Sequence, residues 1–162
     1  MSPQQQWPPC GLYVTTRELA GRELELPPGR LVMFHNHSRN AQPVVQRPKA
    51  RVDGIWVFGD EGFCVDHDPD FVEGLLPLPP QGIYYVKDNF AIDSQPFPQG
   101  CLVKLGYTLT GRPLLFKGRW IDGVAVFPQQ GIKLFDSWVL PFLRPLSHAL
   151  DRDDSPQTLV RH

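Results

Sequence analysis

The sequence of 162 residues has few cysteines, almost no net charge and no long apolar run. Its cysteines, Cys10, Cys64 and Cys101, are odd in number, which argues against a disulfide framework and favours the reducing cytoplasm. A formal net charge of −1 gives no general attraction to nucleic acid. No apolar run approaches the roughly 18 residues of a transmembrane helix, and the N-terminus lacks the pattern of a signal peptide. We therefore expect neither a membrane nor a nucleic acid as the partner.

Signatures of catalysis are also missing. The sequence contains no Gly-x-Ser-x-Gly elbow, no Walker loop and no dinucleotide-binding fingerprint. The acidic run at residues 66–70 alternates carboxylates, but it lacks the central glycine and the distal glutamate of a calcium loop. These absences argue against the corresponding classes of enzyme and favour a non-catalytic role.

What the sequence does have is proline, glycine and a repeated turn motif. The 18 prolines and 14 glycines indicate short strands separated by turns, and hence an all-β fold. Residues 51–58 (RVDGIWVF) are nearly repeated at residues 120–127 (WIDGVAVF). Each copy places an Asp-Gly pair between β-branched and aromatic residues. This pattern is typical of a two-residue hairpin, because both central turn residues must tolerate positive φ.

The repetition extends over most of the chain. Residues 11–37 align without a gap on residues 82–108, at an offset of 71 positions. The offset falls to 69 through the Asp-Gly hairpins and to 68 at Pro77 and Pro145. Small steps at loops, with motifs in register between them, are typical of an internal duplication.

Each copy predicts the same series of elements, which in the first copy begins with a strand at residues 11–17 and a long loop. Further strands follow at residues 30–34, 43–45 and 55–58, before a short helical turn near residues 69–75. This layout resembles that of small SH3-like barrels of five strands. Because one unit of this size is marginally stable alone, we expect two tandem SH3-like barrels packed as one body. The predicted segments are a flexible lead-in (1–10), the first repeat (11–78), a connector (79–81), the second repeat (82–147) and a disordered tail (148–162).

Aromatic residues on or beside the predicted strands form the first candidate site, for binding a protein. Plain packing in the core explains the same residues. Trp56 aligns with Ala125, and Arg51 aligns with Trp120, so a large ring has changed position between the copies. We therefore expect Trp120 above all to contact a partner. The candidate protein-binding residues are Tyr13, Trp56, Tyr84, Tyr107 and Trp120.

Two histidines form the second candidate site. Alternate residues of a strand share a face, so His35 and His37 are placed to bind one metal ion, with zinc the implied cofactor. His67 is a candidate third ligand, beside Cys64 and the neighbouring aspartates. Solvent-exposed histidines at a strand end, with no metal and no cofactor, are the simpler interpretation.

Charge differs between the two copies. Residues 11–78 carry seven Lys or Arg against ten Asp or Glu, whereas residues 82–146 carry seven against four. Such a dipolar chain is suited to bind an acidic partner or to stack on its own kind. Attraction between the two halves, or simple solvation of both surfaces, explains the charges equally well.

These features together predict a non-catalytic protein-interaction or structural module, such as an adaptor or a component of a larger assembly. Its partner is then another protein or a further copy of itself. The repeated positions are glycine, proline, apolar residues and the hairpin aspartate, whereas a duplicated active site would have left repeated polar residues. The alternative is a metal-dependent enzyme or metal-binding protein that uses His35 and His37. Binding of nucleic acid by the basic second repeat is a third hypothesis.

Overall fold

Residues 6–36 and 42–146 are described here from a computed structural model of the chain. They form an all-β structure, as the sequence predicts. No helix in these two ranges is both long and apolar enough to cross a membrane. The strands in chain order are β1 (Gly11–Val14), β2 (Leu31–His35), β3 (Val44–Val52), β4 (Ile55–Cys64), β5 (Leu76–Pro77), β6 (Gly82–Val86), β7 (Phe90–Ile92), β8 (Gln95–Phe97), β9 (Leu102–Tyr107), β10 (Pro113–Lys117), β11 (Arg119–Ile121), β12 (Val124–Val126), β13 (Ile132–Lys133) and β14 (Leu143–Pro145). The helical elements are α1 (Pro69–Glu73) and a 3-10 turn (Leu140–Phe142).

The described residues divide into two compact units. The first unit contains residues 6–36, 42–52, 56–80 and 107–111, and the second contains residues 53–55, 81–106 and 112–146. The sequence predicts a division at the connector 79–81. In the structure each unit also contains a short segment from the other half of the sequence: residues 107–111 belong to the first unit and residues 53–55 to the second. Of the predicted tail, 148–162, nothing lies within the described residues.

The first unit is built on a five-stranded sheet with the order β4-β3-β2-β1-β5. In the antiparallel pair β1–β2, Gly11 lies opposite Phe34 and Tyr13 lies opposite Val32. Strand β5 pairs with the other edge of β1, where Pro77 lies opposite Tyr13. The interior of this unit contains an apolar cluster that includes Leu19, Leu26, Val32, Phe34, Val45, Phe63, Val65, Phe71, Val72 and Leu75.

The second unit has a five-stranded sheet with the order β13-β10-β9-β6-β14. Here Gly82 lies opposite Leu105, and Tyr84 lies opposite both Val103 and Pro145. These pairs match those of the first unit: residues that are aligned in sequence also lie opposite aligned partners in the two sheets. Strand order and register therefore agree between the two sheets. The order found is linear in both, so closure of either sheet into a barrel stays a prediction.

The predicted Asp-Gly hairpins are confirmed. The φ angles are 52° at Asp53 and 80° at Gly54, and 51° at Asp122 and 78° at Gly123. These values are the left-handed conformations that a two-residue turn of this type requires.

A third hairpin of the same kind was not predicted. Strands β7 and β8 pair around Asp93 and Ser94, whose φ angles are 47° and 69°. The sequence predicts a long loop here, and the Asp-Ser pair lacks the glycine that makes such a turn easy to identify.

Other predicted elements are shifted in their bounds. The first strand ends at Val14 rather than at residue 17, because the regular pairing with the second strand changes at Thr15. The Thr15 N–H still donates to the Arg30 carbonyl at 2.9 Å, but the Arg30 N–H donates to the Thr15 hydroxyl at 2.9 Å instead of to a backbone carbonyl. In the second unit Gly118 interrupts the extended strand and separates β10 from β11. Its N–H donates to the Leu102 carbonyl at 2.8 Å, and a Cβ there would lie 2.9 Å from that oxygen. Glycine is therefore required at this close approach.

Candidate protein interface

The three candidate tyrosines lie inside the protein. Tyr13 and Tyr84 are 5% exposed, and Tyr107 is 0% exposed. The Tyr13 hydroxyl donates to the Pro9 carbonyl at 2.6 Å, and burial raises the pKa of Tyr84 to about 12. Side chains so deeply buried offer no surface to a partner in this conformation. Packing in the core therefore explains these three residues, and the surface prediction depends on the tryptophans.

Trp56 is half-buried and held by its neighbours within the first unit. Its indole N–H donates to the Tyr107 carbonyl at 2.8 Å. The Arg51 guanidinium lies 4.4 Å from the centre of the Trp56 ring and donates to the same carbonyl at 3.2 Å. Trp56 is thus fixed by a cation–π contact and a hydrogen bond, and it presents only one part of its ring to solvent.

Trp120 lies on an exposed apolar hairpin formed by β11 and β12, which we call the Trp120 hairpin. The exposed fractions of Trp120, Ile121 and Val124 are 67%, 53% and 61%. Because Trp120 lies opposite Ala125 and Ile121 lies opposite Val124, the tryptophan is on one face and the aliphatic pair is on the other. Val126 extends the aliphatic face. The hairpin therefore exposes apolar side chains on both faces, an aliphatic group on one and a single large ring on the other, and such exposure is typical of a protein contact surface.

The Trp120 hairpin also leaves main-chain groups available. Strands β11 and β12 form a two-stranded sheet of their own, so within the described residues each strand has one edge without a strand partner. Such an edge can pair with a strand of another chain. The hairpin is therefore able to bind through both side chains and backbone.

The two candidate histidines in the described part of the chain, His35 and His67, have different hydrogen-bond neighbours. His35 Nε2 lies 2.9 Å from Gln46 Oε1, and His67 Nε2 lies 2.9 Å from the Ala20 carbonyl oxygen. His37 lies outside the described residues. Among residues 6–36 and 42–146, no group of three or more His, Cys, Asp or Glu side chains is placed to hold a metal ion. The zinc site stays a prediction that depends on His37, and elemental analysis of untagged protein tests it.

The first unit has a groove of about 700 Å³, which we considered as a candidate catalytic site. Its lining is apolar around Phe63 and Leu31 and includes both basic and acidic side chains, among them Arg47 and Asp60. None of its lining residues is a serine, threonine, cysteine or histidine. Nucleophilic catalysis by a Ser–His or Cys–His pair therefore has no support in this groove.

The N-terminal prolines are held against the first unit. Trp7 packs on the apolar cluster of that unit, and Asn36 Nδ2 donates to the Pro8 carbonyl at 3.0 Å. Of the predicted flexible lead-in, residues 1–10, the part from Trp7 to Pro9 thus lies against the first unit. A signal for it was present, because Pro8-Pro9-Cys10-Gly11 recurs as Pro79-Pro80-Gln81-Gly82 at the same offset of 71.

A group of aromatic rings in the second unit was also not predicted. Phe90 stacks on Phe97 with ring centres 4.8 Å apart, and Trp138 and Phe142 lie against Phe90 at 6.0 Å and 5.7 Å. Three separate parts of the sequence supply these rings, so no local pattern identified them. The only signal was the high aromatic content of residues 135–142.

Comparison with known proteins gives no further guide. No protein-family model matches the chain, and no curated protein and no solved structure matches it either.

Proposed function

We propose that this chain is a non-catalytic protein-interaction module, with the Trp120 hairpin as its contact surface. The exposure of Trp120, Ile121 and Val124, all above one half, is the observation that carries the proposal. Keeping three large apolar side chains in water is unfavourable, at roughly 25 cal/mol for each Å² that a partner would cover. Tryptophan is also the residue type most enriched among those that dominate binding energy at interfaces.

The architecture that we propose around this surface is a tandem pair of SH3-like units derived by duplication. The agreement of strand order and register between the two sheets supports a common origin. The tryptophan-bearing hairpin is then the part in which the copies have diverged. Arg51 stands in the first unit where Trp120 stands in the second, and it is used there to hold Trp56. The second unit thus has an exposed tryptophan where the first unit has an arginine. This difference supports a role in binding, as in an adaptor or a component of an assembly.

The partner that fits the Trp120 hairpin is a protein with an apolar groove beside an open strand edge. The hairpin has two charged side chains of opposite sign, Arg119 and Asp122, so charge alone selects no strongly acidic or basic partner. A second copy of the chain is the competing occupant, and the experiment must distinguish the two.

Site-specific photocrosslinking identifies what covers the hairpin. A photoreactive phenylalanine analogue is placed at position 120 and, as a matched control, at position 24, because Leu24 is a 96% exposed residue of the first unit. We expect position 120 alone to crosslink to a distinct protein, which is then purified. A crosslinked species of twice the chain mass instead identifies a second copy as the partner.

Binding measurements with the purified partner decide the proposal. We expect Trp120→Ser to weaken binding at least tenfold, whereas Leu24→Ser leaves it unchanged. If the parent chain, Trp120→Ser and Leu24→Ser bind equally well, or if neither position 120 nor position 24 crosslinks, the Trp120 hairpin is not the contact surface. Because the substituted side chains are exposed, unfolding is not expected to confuse the result, and an unchanged melting temperature checks this.

A further inference from the structure

The groove of the first unit combines an apolar floor with an apolar rim. All of its lining residues belong to that unit. Leu26 and Leu31 are buried and form its floor, whereas Leu24 and Leu109 are 96% and 50% exposed and stand at its rim. Its volume of about 700 Å³ lies within the range of sites that bind small molecules. The groove is therefore large enough, and apolar enough, to hold an organic ligand.

Two cations of the groove lie on the face of the β3–β4 hairpin that turns toward the core. Arg47 and Lys49 alternate with Val45, which is completely buried, so the three side chains share that face. The contacts agree with this assignment. The Arg47 guanidinium lies 5.3 Å from the centre of the Phe63 ring, and a Cβ at Gly59 would lie 3.9 Å from the Lys49 Cβ. The inner face of this hairpin thus carries two positive charges beside an aromatic ring.

The carboxylates around the groove do not cancel this charge. The Glu25 carboxylate already lies 3.5 Å from the Arg22 guanidinium. Asp60 and Glu61 are successive residues of β4, so they point to opposite faces, and only Glu61 shares the face of Phe63. With a further arginine at position 30, the groove has three cations against one carboxylate that has no cationic partner among the described residues.

These cations have donors to offer. In the part of the chain described, no hydrogen bond and no ion pair engages the side chains of Arg30, Arg47 and Lys49. The second unit shows the opposite case at an aligned position. There Lys117, 70 positions after Arg47, donates to the Pro96 carbonyl of its own unit. The cation of the second unit is thus already used, whereas the Arg47 guanidinium keeps its N–H groups for a ligand.

The loop between β1 and β2, which forms one wall of the groove, is held in place by hydrogen bonds. The Thr15 hydroxyl donates to the Pro27 carbonyl at 2.7 Å and accepts from the Arg30 N–H at 2.9 Å. The Leu19 N–H donates to the Leu26 carbonyl at 3.1 Å. Because this wall is already formed, a ligand does not have to order it on binding, and the entropy cost of binding is small.

We propose that this groove binds an amphipathic anion, that is, an apolar chain with a carboxylate or phosphate head. The chain packs on Leu31 and Phe63 and covers the exposed side chain of Leu24, which removes apolar surface from water. The head accepts from Arg47, because a guanidinium donates two parallel N–H bonds to a carboxylate or a phosphate. No serine, threonine, cysteine or histidine lines the groove, which suits binding rather than turnover. This inference concerns a small molecule and a surface other than the Trp120 hairpin, so it is independent of the proposed function.

Titration of the full-length chain with ligands of equal chain length, followed by amide NMR, tests the site. The probes are decanoate, decyl phosphate and decyltrimethylammonium. We expect the anions to move the signals of Gly59 and Phe63 with saturation at millimolar ligand, and the cation to bind at least tenfold more weakly. The anion that binds more tightly identifies the head group. Octanoate should bind roughly tenfold more weakly than decanoate, because it buries two fewer CH₂ groups.

Variants separate the proposed site from general adsorption of amphiphiles. We expect Arg47→Gln and Arg30→Gln each to weaken binding of the tighter anion several-fold, and Leu24→Ser to do the same through the chain. Arg119→Gln is the matched control, because Arg119 is an exposed cation outside the groove, and it should leave binding unchanged. A preserved amide spectrum confirms that each variant is folded.

Three results would overturn the proposal. They are an absence of shifts at Gly59 and Phe63 with millimolar anion, equal affinity for the cation, and binding by both Arg47→Gln and Arg30→Gln that equals that of the parent chain. Each of these results leaves the crosslinking test of the Trp120 hairpin unaffected, since that test detects a protein rather than a small molecule.

Discussion

The hydroxyl of Tyr107 donates a hydrogen bond of 2.6 Å to the carbonyl of Pro79. The same relationship exists 71 residues earlier, where the side-chain amide of Asn36 donates to the carbonyl of Pro8 at 3.0 Å. One donor is an amide and the other is a phenol, but both donors and both acceptors lie at positions that the sequence alignment pairs. The agreement between the two halves of the sequence therefore begins at these prolines, upstream of residues 11 and 82.

Removing the Tyr107 hydroxyl is expected to destabilise the protein. Tyr107 is completely buried, and Tyr107→Phe leaves the Pro79 carbonyl without this donor at a cost of about 1–3 kcal/mol. Urea unfolding at neutral pH measures this free energy. Tyr85→Phe is the control, since Tyr85 is only half-buried and should change stability by less than about 0.5 kcal/mol. Equal effects of the two substitutions would contradict a structural role for the Tyr107 bond.

The two Asp-Gly turns are expected to respond differently to the same substitution. Gly54 and Gly123 have nearly equal φ angles of 80° and 78°, so alanine at either carries a similar backbone cost of about 1–2 kcal/mol. A Cβ at Gly54, however, would lie 2.9 Å from the Phe116 ring, whereas a Cβ at Gly123 meets nothing within 4 Å. Gly54→Ala should therefore be more destabilising than Gly123→Ala by about 1–3 kcal/mol.

Thermal and urea unfolding of both variants check this difference. The Gly123→Ala variant serves as the internal control for backbone strain, and Phe116→Leu combined with Gly54→Ala should recover part of the extra loss. If the two alanine variants are equally stable, the ring contact at Gly54 is not significant.

The sequence predicts local turns better than it predicts which side of a strand is buried. Asp-Gly at positions 53 and 122 has a strong local preference, so both hairpins could be placed correctly. Alternation along a strand does not say which face points inward, and in β1 the adjacent residues Leu12 and Tyr13 are both buried. For that reason the tyrosines could not be assigned to the core from sequence, although comparison of the copies did single out Trp120.

Contacts between distant parts of the chain were beyond the sequence analysis. Residues 107–111 belong to the first unit, where the Leu109 carbonyl accepts from the Leu31 N–H at 2.8 Å. The ring contacts of Phe90 with Trp138 and Phe142 likewise join residues about 50 positions apart in the sequence. Such pairings depend on the tertiary path of the chain and leave no periodic signal.

Cutting the chain at the apparent boundary between repeats should therefore disrupt folding. A fragment of residues 1–81 lacks Tyr107 and Leu109, so the indole N–H of Trp56 and the N–H of Leu31 lose their acceptors. We expect this fragment to show no cooperative melt by circular dichroism. The longer fragment 1–111 retains both acceptors and is the matched comparison, with a cooperative melt expected. A two-state melt of fragment 1–81 would show that residues 107–111 are dispensable for the first unit.

Stability is also expected to fall in alkaline solution because of Tyr84. Burial raises the pKa of this phenol to about 12 from an ordinary value of 10.0, so the folded state favours the neutral form. The unfolded chain ionises first, and the stabilisation is complete below pH 10 and is lost as the pH rises from about 10 to 12. The loss attributable to Tyr84 should be about 2 kcal/mol after allowance for partial solvent access to the oxygen.

Urea unfolding at pH 8 and pH 11 isolates this effect. Tyr84→Phe removes the ionisable group while keeping the ring, so the variant should lose less stability between the two pH values than the parent chain does. Burial also raises the pKa of Tyr13, so Tyr84→Phe should reduce the alkaline loss without abolishing it, and adding Tyr13→Phe should reduce it further. An alkaline loss that is identical in the parent and in Tyr84→Phe would mean that the phenol is open to solvent, and would place Tyr84 back among the residues able to meet a partner.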